Sequence, residues 1–370
     1  MNDVEELKRF AVTHAKAQNI SGYRELLGRI RHDDGNAPGS WVWEWSQRAE
    51  QWYRRGRFLH AARHFTMARF PFVDGVPRQT ALDRCVTSFG QWARERGIER
   101  LDLALPEGNV RCWAAGLSTT ERRPLVLMSG GIVSGKEQWA AALPAMARLG
   151  LAGVVIELPG VGENTLPYDQ HSWRMISGIL DALADRADVR ATYALMFSFS
   201  GHLALRCAVA DPRIRGVVTA CAPIAAFFTD TEWQARLPRV TVDTLAHLIG
   251  VDSRELPGTL APWALCPEQL AALDIPLAYA ASTRDEIIPP ADRRLLSAHV
   301  RRLDLVEHDD VHGSPRHVLE NRLWSVRAVL RMQGARTALT WALGSGLGLL
   351  RARRGLGGGN GHDPYRSSSA

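Results

Sequence analysis

Ser198, Asp285 and His312 are side chains that, brought together, can transfer an acyl group. Ser198 lies in Leu195-Met196-Phe197-Ser198-Phe199-Ser200-Gly201-His202, between an apolar run and a helix-like run over 203–210. A serine on a turn from a buried strand into a helix is lifted clear of the sheet. The helix N-terminus then meets oxyanion charge with backbone N–H groups. Ser200 is the rival nucleophile, but it would place His202 at the following tight position, which needs a small residue. Asp285 follows the apolar run 276–281, and its short carboxylate suits orienting an imidazole, with Glu286 as the neighbouring rival. His312 sits in the loop 307–315 and competes with His308 at a strand end and with His317. Ser314-Pro315 reads as the N-cap and first residue of the last helix, which would make His317 helical and leave His312 in the loop. Each residue alone has a plain structural reading: a small residue at a helix start, a helix N-terminal acid, a loop histidine. The combination points to nucleophilic catalysis.

Those residues need a scaffold that brings strand ends together. Strands are expected over 98–105 and 110–117 as an antiparallel pair turned by Pro106-Glu107-Gly108-Asn109, then over 124–128, 153–157, 191–197, 216–221, 276–281 and 303–306. Helices are expected over 136–149, 171–188, 201–210, 291–299 and 315–331. Such alternation implies a mostly parallel, doubly wound sheet whose active site lies past the strand ends. The Gly-rich turn Ser129-Gly130-Gly131-Ile132-Val133-Ser134-Gly135-Lys136-Glu137 lacks phosphate-loop spacing. It can supply a second oxyanion donor beside Phe199, from the backbone around Gly131, Ile132 and Val133. Glu157-Leu158-Pro159-Gly160-Val161-Gly162-Glu163 reads as a turn on the site rim.

Ahead of the sheet, residues 1–95 read as a helical cap with helices over 4–17, 23–31, 57–69 and 80–96 and one begun by Ser40. Its tryptophans are mostly core, and the excess favours a deep apolar acyl or aryl pocket at the junction. The core then spans 96–335 with a lid insertion at about 222–275, and 336–370 holds a C-terminal helix and, from about 352, a Gly/Ser-rich tail expected to be disordered.

Composition narrows the partners. The net charge is +6, but the basic residues are dispersed and almost all arginine, the lysines being Lys8, Lys16 and Lys136, so nucleic acid is not expected. Against that arginine background Lys136 stands out. Five scattered cysteines without C-x-x-C spacing argue against a disulfide framework or a zinc site, and no other metal or cofactor is called for. An acidic N-terminus without an apolar h-region and an apolar C-terminal stretch interrupted by glycines lead to the expectation of a cytoplasmic protein without a membrane span.

The blocks 130–137 and 158–163, the Ser198 turn, Thr283-Arg284-Asp285-Glu286 and Asp310-Val311-His312 resemble the FrsA-like branch of the α/β-hydrolases. That branch includes dihydroxypseudooxynicotine hydrolase and fungal polyketide-shortening hydrolases. The order Ser198, Asp285, His312 is that superfamily's order, and Ala61-Ala62-Arg63-His64-Phe65-Thr66-Met67-Ala68-Arg69-Phe70 is similar to the branch's N-terminal cap. The resemblance implies Ser198 as nucleophile, His312 as base and Asp285 as its partner. Two departures stand out: Met196 replaces a glycine before the nucleophile, and Val133 replaces an acidic residue of the carbon–carbon hydrolases. An esterase or thioesterase acting on a bulky acyl group in secondary-metabolite biosynthesis, such as that of an antibiotic, is therefore expected. An acyltransferase drawing on an acyl or peptidyl carrier protein is the alternative, and a non-catalytic binding protein of the same fold is a third. A homodimer is left open.

Overall fold

The computed structural model describes residues 2–334 and 338–356. Among them, β1 (Glu99–Leu105), β2 (Gly108–Ala115), β3 (Pro124–Ser129), β4 (Ala152–Val155), β5 (Asp188–Met196), β6 (Ile214–Ala220), β7 (Leu277–Ser282) and β8 (Leu303–His308) form one sheet, ordered β1-β2-β4-β3-β5-β6-β7-β8. β2 pairs antiparallel with both of its neighbours, β1 and β4, and every pair from β4 to β8 is parallel. This is the α/β-hydrolase fold, preceded by a helical region.

Strand side chains alternate between two cores, as the pleat requires. In β3, Leu125 and Leu127 join the helices Arg174–Ala182 and Phe199–Ala210 on one face. Val126 and Met128 join the N-terminal helices on the other. Those helices are Val4–Ala17, Tyr23–Arg29, Trp41–Arg54, Phe58–Ala68 and Val76–Ala93. Two of their tryptophans are core residues: Trp41 and Trp45 are wholly buried, and the Trp41 indole N–H donates to the Met67 carbonyl at 2.7 Å. Ser40 caps its helix by accepting from the Trp43 N–H.

Several boundaries move. Leu105 already pairs with Gly108, so the first hairpin turns on Pro106 and Glu107 alone. The helix expected over 136–149 is two short ones, Glu137–Ala140 and Leu143–Arg148, the second opening with Pro144 in its first turn. The one expected over 171–188 spans only Arg174–Ala182, because Asp188 is already paired with Pro124 as the start of β5. Between β6 and β7 the insertion is helical, its longest element being Arg239–Ile249. The last helix of the core is Val318–Met332, not 315–331. A further helix, Ala338–Leu356, reaches into the stretch expected to be disordered, and the rest of that tail lies outside the described residues. Among the described residues no helix is long and apolar enough to cross a membrane. All five cysteines are free.

Candidate active site

Ser198 stands between β5 and the helix Phe199–Ala210 with φ 55° and ψ −130°, a strained conformation for a residue with a side chain. Backbone hydrogen bonds hold it there: its N–H donates to Ala220 O at 2.8 Å, and Gly201 N–H donates to Ser198 O at 2.8 Å. Phe199 opens the helix, so its N–H has no acceptor within the helix. The small residue the turn needs is Gly201, where a Cβ would lie 2.1 Å from Thr219 Oγ1 and 2.9 Å from Met196 O. Met196 fits the turn as a core side chain. It is wholly buried in the same core as Phe199 and Leu203, so the turn forms without the family glycine. Ser200 is fully buried, its one hydroxyl hydrogen shared between Phe197 O at 2.9 Å and Ser129 O at 3.2 Å, which makes it part of the scaffold.

Ser198 Oγ lies 3.1 Å from His312 Nε2, and His312 Nδ1 lies 2.9 and 3.0 Å from the two Asp285 oxygens. The structure thus joins the three sequence-selected residues into one hydrogen-bonded chain. An Nδ1–H donated to Asp285 leaves the Nε2 lone pair free to take the serine proton. Burial disfavours an imidazolium at His312, but the Asp285 and Glu286 carboxylates outweigh it and raise the pKa above the ordinary histidine value. Asp285 Oδ1 also accepts the N–H groups of Ile287 and Ile288 at 2.9 and 2.8 Å. Glu286 instead accepts the backbone N–H of His312 at 2.9 Å, placing it beneath the base loop.

The other histidines have different tasks. His308 Nε2 lies 2.7 Å from Asn321 Oδ1, and its ring stacks on His317 at 4.2 Å. His317 precedes the last helix instead of belonging to it, and its Nδ1 lies 3.1 Å from Asp310 Oδ2. Ser314 is no N-cap. It has φ 49°, and its hydroxyl lies 2.8 Å from that of Ser282. The Asp310 carboxylate, almost wholly buried, also takes the N–H groups of Val311 and Arg316, so it organises the whole base loop. In the sequence Asp310 stands out only as a flank of His312. His308, His317 and Glu320 could offer metal ligands, but Glu320 Oε1 is engaged by Arg351 at 2.7 Å.

The Gly-rich loop after β3 approaches Ser198 directly. A Cβ on Gly131 would lie 3.0 Å from Ser198 Cβ and 3.2 Å from its Oγ, so only glycine lets this backbone come so near. Ile132 and Val133 follow in a turn closed by Ser134 N–H donating to Gly131 O at 3.0 Å. Phe197, next to Ser198, stacks on Trp139 at 4.9 Å, and Val133 in the loop and Phe10 in the first helix pack against both cores. The first helix also reaches the site: a Cβ on Gly313 would meet Thr13 Cγ2 at 3.3 Å.

Beneath that loop lies a buried ion cluster. Lys136 Nζ, fully buried, is 3.1 Å from Glu137, 3.1 Å from Glu157 and 2.8 Å from Glu163. Burial works against the Lys136 charge, but the three carboxylates outweigh it and raise the pKa. Glu163 also pairs with Arg100, and the Trp113 indole N–H donates to Glu137 Oε1. The segment 157–163, expected on the rim, therefore turns its two acids inward, with Gly162 leaving room for the Glu157 carboxylate.

A family model described as esterase FrsA-like matches residues 34–301. The chain is 54% identical to the solved structure of wild-type AbyA5, which covers 94% of this chain and is itself covered fully, with a TM-score of 0.91. The solved 2,6-dihydroxy-pseudo-oxynicotine hydrolase shares the fold, at 19% identity and a TM-score of 0.73 over 89% of this chain and 98% of its own. Esterase FrsA of Vibrio cholerae serotype O1 is 25% identical over 276 residues, 65% of this chain and 66% of its own length. The chain thus spans just under two thirds of that curated relative.

Proposed function

The chain belongs to the FrsA-like esterase family, and within it we propose a serine-dependent enzyme that attacks ester or thioester carbonyls through Ser198. The observation that carries this reading is the hydrogen-bonded chain Ser198–His312–Asp285 on a strained turn. His312 Nε2 removes the hydroxyl proton as Ser198 Oγ attacks the acyl carbon. The negative oxygen then faces the N–H groups of Phe199 and of the loop Gly131–Val133. Collapse expels the alkoxide or thiolate, which takes its proton from His312, and leaves an acyl-serine. Asp285 balances the transient imidazolium. Water resolves the acyl-enzyme in an esterase or thioesterase, and an alcohol or amine does so in a transferase.

Phe197, Trp139, Val133 and Phe10 support a bulky apolar or aromatic acyl group, and the resemblance to polyketide-shortening hydrolases supports a place in secondary metabolism. A carrier-protein thioester is a compatible donor. Val133 offers no charge to a carbanion-like leaving group, so activated esters and acyl thioesters are expected to turn over and β-diketones are not. Incubation with both substrate types, followed by mass spectrometry, tests this, and diketone cleavage at comparable rates would remove the argument from Val133. Faster transfer to an added alcohol or amine than to water would favour the transferase. A fluorophosphonate probe that leaves Ser198 unlabelled would favour a binding protein of this fold.

A further inference from the structure

Arg69 ends the helix Phe58–Ala68 in the N-terminal region and is 2% exposed. Its Nη2 donates to the Val133 carbonyl at 2.7 Å, bridging 64 residues of sequence. Nη1 reaches Pro71 O at 3.4 Å, and Nε has no partner among the described residues. The peptide joining Val133 to Ser134 is thereby held at both ends, its carbonyl by Arg69 and its N–H by Gly131 O at 3.0 Å. Gly131, at the start of that turn, is the residue whose backbone comes nearest Ser198.

The ion cluster lies close to Arg69 and acts on it through its field, the Glu157 and Glu137 carboxylates favouring the guanidinium charge against burial. A Cβ on Gly135 would meet Arg69 Nη2 at 3.2 Å and both Glu137 Oε2 and Glu157 Oε1 at 3.4 Å, so guanidinium and carboxylates converge on that glycine. Lys136 anchors the same carboxylates from the other side, and its backbone N–H donates to Glu157 Oε1 at 3.2 Å. With Arg69, Lys136 and Arg100 set against Glu137, Glu157 and Glu163, the cluster is balanced in charge. Buried ion pairs of this kind contribute little net stability compared with apolar packing. What they can contribute is a fixed position. Oxyanion donors act only if they are already in place when charge develops.

We propose that Arg69, supplied by the helical region, is a positioning residue for acyl transfer at Ser198: its guanidinium fixes the Val133 carbonyl and so holds the N–H groups of Gly131 to Val133 toward the oxyanion. The proposal rests on the acyl-transfer reading above. It also gives the helical region a part in the reaction besides covering the sheet.

The test compares wild type, Arg69→Lys and the charge-balanced double variant Arg69→Met with Glu137→Gln. The double variant keeps the net charge of the buried group unchanged, and the amide oxygen introduced by Glu137→Gln can still accept from Trp113. Circular dichroism establishes folding. With p-nitrophenyl esters the double variant should lose about 10- to 100-fold in kcat while KM stays within about twofold, the pattern of an interaction made in the transition state. Arg69→Lys should recover part of the loss, since it keeps the charge without the fork. Hydrogen exchange across residues 130–136 should rise in the double variant, with β5 and β6 unchanged. A folded double variant with kcat within about twofold of wild type, or with unchanged loop exchange, overturns the proposal. Failure of the wild-type enzyme itself to react with a fluorophosphonate overturns the acyl-transfer reading and, with it, this role for Arg69.

Discussion

Two loops flank Ser198, and they are anchored in opposite ways. The acid loop holds Asp285 with neutral dipoles, the N–H groups of Ile287 and Ile288, and leaves the imidazole of His312 as its partner. The Gly-rich loop proposed to face the oxyanion is tied to Arg69 at Val133, beside the ion cluster around Lys136. The difference matches what the proposed reaction asks of each loop. Asp285 must respond to a charge that appears on His312 and vanishes again, and a permanent cation beside it would weaken that response. Gly131 to Val133 need only stay still, and a dense set of buried charges restricts motion well.

The reacting chain breaks first. Ser198→Ala should abolish fluorophosphonate labelling with the circular dichroism spectrum intact, since a half-buried hydroxyl supports little of the fold. His312→Ala and Asp285→Asn should each lower kcat by about 10³-fold or more. The amide oxygen left by Asp285→Asn can still accept from Ile287 and Ile288, so this second loss should come without unfolding. Labelling that survives Ser198→Ala but not Ser200→Ala would transfer the nucleophile to the residue placed here in the scaffold.

On the other side of the comparison, Lys136→Met should act on stability. It leaves three carboxylates facing one another, two of them deeply buried, at a cost of about 3–5 kcal/mol. Thermal unfolding should register a lower Tm. If Lys136→Met instead matched wild type in Tm, the cluster would not be the anchor of the loop.

The two anchors also differ in how far they can be read from the chain. Ser198, Asp285 and His312 are polar residues just past apolar strands, and topology brings parallel strand ends together. The ion cluster is carried by contacts no local pattern announces: Arg69 meets Val133 across 64 residues, and Lys136 meets Glu157 across 21. Only the rarity of lysine marks one member. The misread helix start at Ser314 has a similar cause. Asp310 accepts the Arg316 N–H and pairs with His317, so those groups are satisfied outside a helix, which begins instead at Val318. Likewise 136–149 has the composition of one helix, but Pro144 in the first turn of the second segment marks where the chain restarts.

The finest difference lies within the acid loop, between Asp285 and Glu286. Both carboxylates raise the pKa of His312 against the effect of burial, Asp285 more strongly. The imidazole works as a base only when neutral, so kcat/KM should fall as pH drops through a value above the ordinary histidine pKa. Glu286→Gln removes one of the two carboxylates but keeps an oxygen to accept the His312 N–H. The His312 pKa should then drop, and the acid limb of the profile should move to lower pH while the plateau kcat stays nearly unchanged. The variant would thus retain more of its activity in mild acid than wild type does. A pH profile with substrate held well below KM measures this directly. An acid limb that stays put would mean that Glu286 only ties down the loop, and a plateau loss as large as that of Asp285→Asn would mean that Glu286 is the orienting acid.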